Sequence, residues 1–173
     1  MGQNVPTRLA LDTAEDMFEK LKWEEARLME SWGIYDSFNF IVTAHHLYVD
    51  WLSLDSAKPS QVARKAALPS DAQIVFQAVI DVSNGSKHWQ MTHPASLKRQ
   101  VIVRIDRPVI GCWYSYAEDK PMAYFDFAGY SLSMAELSDF VMKYFDWILN
   151  GEGQPFPTEL TSNLQALRIP EPE

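Results

Sequence analysis

HPASLKRQVIVRID, residues 93–106, is where the chain changes its periodicity. Before it, apolar residues recur every three or four positions. From Val101 they alternate, with Val101, Val103 and Ile105 on one side of a strand and Ile102, Arg104 and Asp106 on the other. The switch predicts helices upstream and a sheet downstream. Ile110, Cys112, Tyr114 and Tyr116 continue the alternation against Gly111, Trp113 and Ser115, and a turn at Glu118-Asp119-Lys120-Pro121 leads into MAYFDF. Strands are therefore expected at about 100–106, 109–116 and 122–128, in one small antiparallel sheet of two or three strands.

Upstream, Asp12 and Glu15 have capping-box spacing, and Met17, Phe18, Leu21, Leu28 and Trp32 follow at helical intervals up to Gly33. A second helix is expected from about 37, with Phe38, Ile41, Val42, His45, Val49 and Leu52 on one face. Pro59 precedes a short helical piece, and Pro69-Ser70-Asp71 opens another that Asn84-Gly85 should close. The predicted helices are about 13–32, 37–54, 60–67 and 71–84. Downstream of the sheet, Ser133 and Glu136 form a second capping box, opening a closing helix over about 134–150. Residues 151–173 contain four prolines and are expected to form an extended tail. The fold class is α+β, mainly α: a helical bundle with a small sheet and a closing helix, within one domain over 1–150.

Length and composition are consistent with this. A chain of 173 residues can bury one core, and 47% hydrophobic against 22% charged residues is globular composition. Cys112 is the only cysteine, so no internal disulfide forms, and no apolar run approaches the roughly 20 residues of a membrane helix. A cytoplasmic protein that does not span membranes is expected. The net charge of −8 opposes a surface that coats nucleic acid. Residues 82–117 nevertheless carry five bases against one acid, a local +4 that leaves −12 elsewhere. Arg99 and Arg104 are candidate anion ligands in that segment; the alternative is that strand charges here discourage edge pairing.

The main candidate site lies at the end of the 71–84 helix. Asp81, Asn84, Lys87 and His88 have spacings of three, four and seven, so a helix continuing through Gly85 would put Asp81, Asn84 and His88 on one face with Lys87 beside them. A carboxylate near an imidazole fixes its tautomer, and a lysine can hold phosphate, which suits general acid/base cleavage of a phosphodiester. The competing reading is a polar helix stop with cations at the negative end of the dipole. A second candidate is His46 with Asp50, on one face of the second helix beside His45. Neighbouring histidines point about 100° apart, so no metal is assigned. There is no Gly-rich phosphate loop, GxSxG or dinucleotide fingerprint, and no cofactor is expected.

The stretches NFIVTAHHLYVDWL (39–52) and QAVIDVSNGSKHW (77–89), followed by a hairpin and a closing helix, resemble the HEPN superfamily across residues 34–150, through Asn84-x-x-Lys87-His88. The resemblance implies a bundle that dimerises through its helices, with a mobile-element or defence role, and in many members RNase activity. His88 would match the family histidine and Asn84 its polar neighbour. Ser83 stands where the family has arginine, so Lys87, Arg64 or Arg99 would have to stabilise the phosphate. Two functions follow: a homodimeric binding or regulatory module with an RNA or protein partner, or a metal-independent RNase. A metal-dependent hydrolase using His46 is a third. Nine Phe, seven Tyr and six Trp are more than this core readily absorbs, so some should line a subunit contact or ligand groove.

Overall fold

The computed structural model describes residues 11–53, 57–87, 101–106 and 122–169. Among these are six α-helices, the second prolonged by a π-helical turn, and one three-stranded antiparallel sheet. The architecture is the mainly helical α+β bundle expected from the sequence.

Helix α1 (Ala14–Ser31) opens on a capping box one residue beyond the expected pair. The Thr13 hydroxyl accepts from the Asp16 N–H at 3.1 Å, and the Asp16 carboxylate accepts from the Thr13 N–H at 2.9 Å. It ends at Trp32, which takes the left-handed conformation (φ 48°) in place of Gly33. Helix α2 (Ile34–His46) therefore starts directly after Gly33, three residues before the expected start. Ile41 and Leu52 of the predicted face are buried, but the stripe is Phe40, Ile41, Ala44 and Leu47, and Phe38 and Val49 stay exposed. FNFIV offers apolar side chains to two faces of a helix, so spacing alone could not choose between them.

The π-turn spans Leu47–Trp51, and the Leu52 N–H closes it on the Leu47 carbonyl at 3.0 Å. Its open carbonyls are met from helix α3 (Pro59–Ala66). Lys65 Nζ donates to the carbonyls of Tyr48 (2.5 Å) and Leu52 (2.9 Å) and sits 4.4 Å above the Tyr48 ring. Arg64 donates to the carbonyls of Ile148 (2.7 Å) and Leu149 (3.1 Å) at the far end of the closing helix. Adjacent residues of one short helix thus cap the carbonyl ends of two others.

Helix α4 (Ser70–Lys87) runs through Asn84-Gly85 instead of stopping there. Left-handed glycines among the described residues are Gly129 and Gly153, so Gly85 is not a left-handed cap. The roughly 1 kcal/mol cost of an interior glycine is offset by packing of this helix on α2. Ser83 is fully buried there and bonds to His45.

Strands β1 (Ile102–Asp106), β2 (Met122–Phe127) and β3 (Tyr130–Ser133) lie in sequence order. Val103 pairs with Phe125 and Ile105 with Ala123, and Asp106 faces Met122 at the end of the ladder. The expected strand at 109–116 lies outside the described residues. In its place as third strand is β3, joined to β2 by Ala128-Gly129, both at positive φ as a tight two-residue hairpin requires. Tyr130 and Leu132 point into the core, and Ser133 caps helix α5 (Met134–Asn150) through the expected box with Glu136.

The tail is not simply extended. Residues Thr158–Gln165 form helix α6, which buries Leu160 and Leu164 one turn apart. Arg168 then bridges Tyr130, and the Ile169 N–H donates to the Gly129 carbonyl at 2.8 Å, covering the outer edge of β3.

Candidate functional site

The polar centre of the bundle lies where α2 passes into the π-turn. His45 Nδ1 bonds to the Ser83 hydroxyl on α4 at 2.8 Å, and His46 Nδ1 to the Asp50 carboxylate at 2.6 Å. The two rings stack with centroids 5.4 Å apart and an interplanar angle of 5°. Each imidazole is thus oriented through Nδ1 by a different element: His45 ties two helices together, and His46 spans one turn at the surface. Among the described residues, no group of three or more His, Cys, Asp and Glu side chains could hold a metal ion. Burial lowers the pKa of Lys65 behind the π-turn, against the opposing pull of Asp50, and burial raises that of Tyr48.

The predicted quartet is only half placed. Asp81 is buried to 6% exposure and accepts from Gln77 Nε2 at 3.0 Å, while Asn84 is half-buried one turn on. The helix reaches Lys87, which meets the backbone condition for a shared face; the Lys87 side chain, His88 and Arg99 lie outside the described residues. Arg104 forms a two-pronged contact with Asp126 (2.8 and 3.2 Å) and lies over the Tyr124 ring at 5.5 Å. Arg104 first, then the Ser131 hydroxyl, hold the Asp126 carboxyl below its usual range. Arg64, named above as a candidate phosphate ligand, donates to two carbonyls at the end of α5.

Spacing in the sequence did not locate an uncharged groove at one end of the bundle. The bundle opens between the N-terminal half of α2, the last turn of α4 and the β1–β2 face, leaving a groove of about 610 Å³. Tyr35 is 83% exposed, Ile34 57%, Val103 48%, Ile105 46% and Phe38 40%. Strand alternation sends Val103 and Ile105 into this hollow and Arg104 to the opposite face, where Asp126 holds it. None of the eleven lining residues is charged, in a chain of 23 acids and 15 bases. A second hollow between α1, α5 and α6 mixes charged and amide side chains such as Glu25, Asp146 and Asn163 over a floor of Phe18 and Trp147.

No protein-family model, curated protein or solved structure matches this chain. No helix among the described residues is long and apolar enough to cross a membrane.

Proposed function

We propose that this chain is a binding or regulatory module that acts by contact, with the uncharged groove between α2, α4 and the sheet as its working surface. The observation that carries the reading is the concentration of large, solvent-exposed apolar side chains around one hollow. Scattered apolar residues are normal on a protein surface; a contiguous patch that costs hydration marks an interaction site. The HEPN-like resemblance agrees with a bundle that works through its helices. The polar residues serve it as struts: His45 joins α2 to α4, Lys65 and Arg64 close helix ends, and Arg104 is neutralised by Asp126.

A metal-independent RNase is the second reading. It is favoured by one feature, the continuation of α4 through Gly85, which keeps Asp81 and Asn84 in register with the turn that follows. Incubating purified wild-type and His88→Ala protein with total RNA separates the two. The binding module predicts no cleavage by either, and wild-type cleavage lost in the variant overturns it. The groove has its own check in Val103→Asp with Ile105→Asp. A working surface tolerates both charges, so the circular dichroism spectrum and the thermal midpoint of dilute protein stay close to wild type. Collapse of the fold would mean that these side chains belong to the interior.

A further inference from the structure

We propose that the hollow between α1, α5 and α6 binds an aliphatic polyamine, whose ammonium groups meet carboxylates from all three helices while its methylenes lie against the floor of Phe18 and Trp147. The hollow shares no lining residue with the apolar groove and has the opposite chemistry, so this site stands independently of the groove.

The hollow has a volume of about 770 Å³, within the roughly 300–1,000 Å³ of small-molecule sites. Its floor is firmly built. The Trp147 indole N–H donates to the carbonyls of Gln154 (3.3 Å) and Pro155 (3.2 Å), and Phe156 braces the ring edge-on. At Gly151 an added Cβ would lie 2.5 Å from the Trp147 carbonyl oxygen and 2.7 Å from its Cδ1, so only glycine lets the chain pass this close to the ring. The Phe18 ring already attracts an ammonium: Lys22 Nζ sits 4.6 Å above it. Each helix adds one carboxylate to the lining, Glu25 from α1, Asp146 from α5 and Glu159 from α6.

Charge selects the ligand. The two lysines of the lining are matched by acids outside it, Lys22 by Glu19 at 2.7 Å and Lys143 by Asp139 at 2.6 Å. The three lining carboxylates are left without a cation. Among the described residues, Asp146 accepts from the Asn150 amide at 2.8 Å, while Glu25 and Glu159 have no hydrogen-bond or ion-pair partner. Glu25 bears the greatest cost, since burial first and the Asp139 carboxylate second disfavour its charged form. A half-buried carboxylate beside a like charge, in a hollow, is the kind of group that a bound ligand relieves. An anion would be repelled here, and a neutral ligand would leave Glu25 uncompensated. A bare metal ion does not fit either, because no three acids among the described residues converge closely enough to hold one. Carboxylates set apart around an apolar floor suit separated ammonium groups on a flexible alkyl chain.

The test is isothermal titration calorimetry of spermidine into the whole chain at neutral pH and about 0.15 M salt, where attraction between exposed charges is screened. It compares wild type with Glu25→Gln, Asp146→Asn and, outside the hollow, Glu30→Gln. The expected result is one spermidine per chain, bound about tenfold more weakly by Glu25→Gln and by Asp146→Asn and equally well by Glu30→Gln. Removing the Glu25 charge favours the fold at neutral pH, so weaker binding in that variant reports the lost contact and not unfolding. No saturable binding by wild type overturns the proposal. So does equal weakening by Glu30→Gln, or displacement by magnesium at equal charge concentration, since either reduces the effect to general attraction of a cation to a chain of net charge −8. Wild-type binding that neither hollow variant weakens places the amine elsewhere and overturns the site.

Discussion

Phe38 and Phe40 are two positions apart on the same helix and meet opposite fates. Phe40 has no exposed surface, whereas Phe38 keeps 40% of its own in water at the rim of the groove. The contrast holds for whole regions. Where the π-turn, α4, α5 and the segment leading into α6 meet, rings fill the space between elements: Phe76 stacks on Tyr48 at 4.0 Å and meets Phe145 edge-on at 5.0 Å, and Trp147 meets Phe156 edge-on at 5.2 Å. Where α2, the end of α4 and the β1 side of the sheet diverge, residues of the same chemistry find no facing element among the described residues. Residue type does not separate the two ends; the supply of opposing surface does.

The largest expected effect sharpens that contrast within one helix. Phe40→Ala leaves a cavity in a close-packed interior and should cost about 3–5 kcal/mol of unfolding free energy, read by urea titration at low protein concentration. Phe38→Ala removes a ring already half solvated and should cost about 1 kcal/mol or less. Equal costs at the two sites would erase the distinction between a closed and an open end.

The closed end also depends on α3. Arg64→Ala strips the caps from the Ile148 and Leu149 carbonyls and should cost about 2 kcal/mol, in the range for hydrogen bonds from a charged donor. Arg64→Lys should recover only part of it, since an ammonium cannot reproduce the fork of a guanidinium. Full recovery with lysine would show that charge at the helix end matters and geometry does not.

Much of this was legible in the sequence, for definable reasons. Capping boxes are local, and Ser133 with Glu136 was found in place because three residues suffice to specify it. The change of period at Val101 separated helices from sheet because both patterns are written in consecutive residues. What escaped is either too short to show a period or depends on partners distant in sequence. Strand β3 is only four residues long, although Tyr130 and Leu132 alternate with Ser131 as a half-buried strand should. The π-turn is supported by Lys65 from another helix, and Gly85 remains helical because α4 packs on α2. Of the candidate site residues, Asp81 bonds to Gln77, His46 to Asp50 and Arg104 to Asp126, partners within the fold that spacing alone does not reveal for Asp81 and Arg104. The groove, by contrast, is a gap between three elements, and no stretch of sequence encodes a gap.

The smallest expected effect compares two carboxyls, one on the sheet and one beside the α1–α5 hollow. Asp126 has its pKa lowered by Arg104 and Ser131, so its contribution is complete above the unfolded aspartate value near 4 and is lost as pH falls through the lower folded value. Glu25 is the reverse. Burial first, and the Asp139 carboxylate second, raise its pKa, so its charged form opposes folding at neutral pH and that penalty lifts as pH falls through the raised value. Asp126→Asn should therefore lower the urea midpoint at pH 7 slightly, by the equivalent of about 1 kcal/mol or less given partial solvent screening, and by progressively less as the solution is acidified below about pH 4. Glu25→Gln should raise the midpoint at pH 7, with the gain fading toward acid. If both variants shifted in the same direction with pH, the opposite environments assigned to these carboxyls would be wrong.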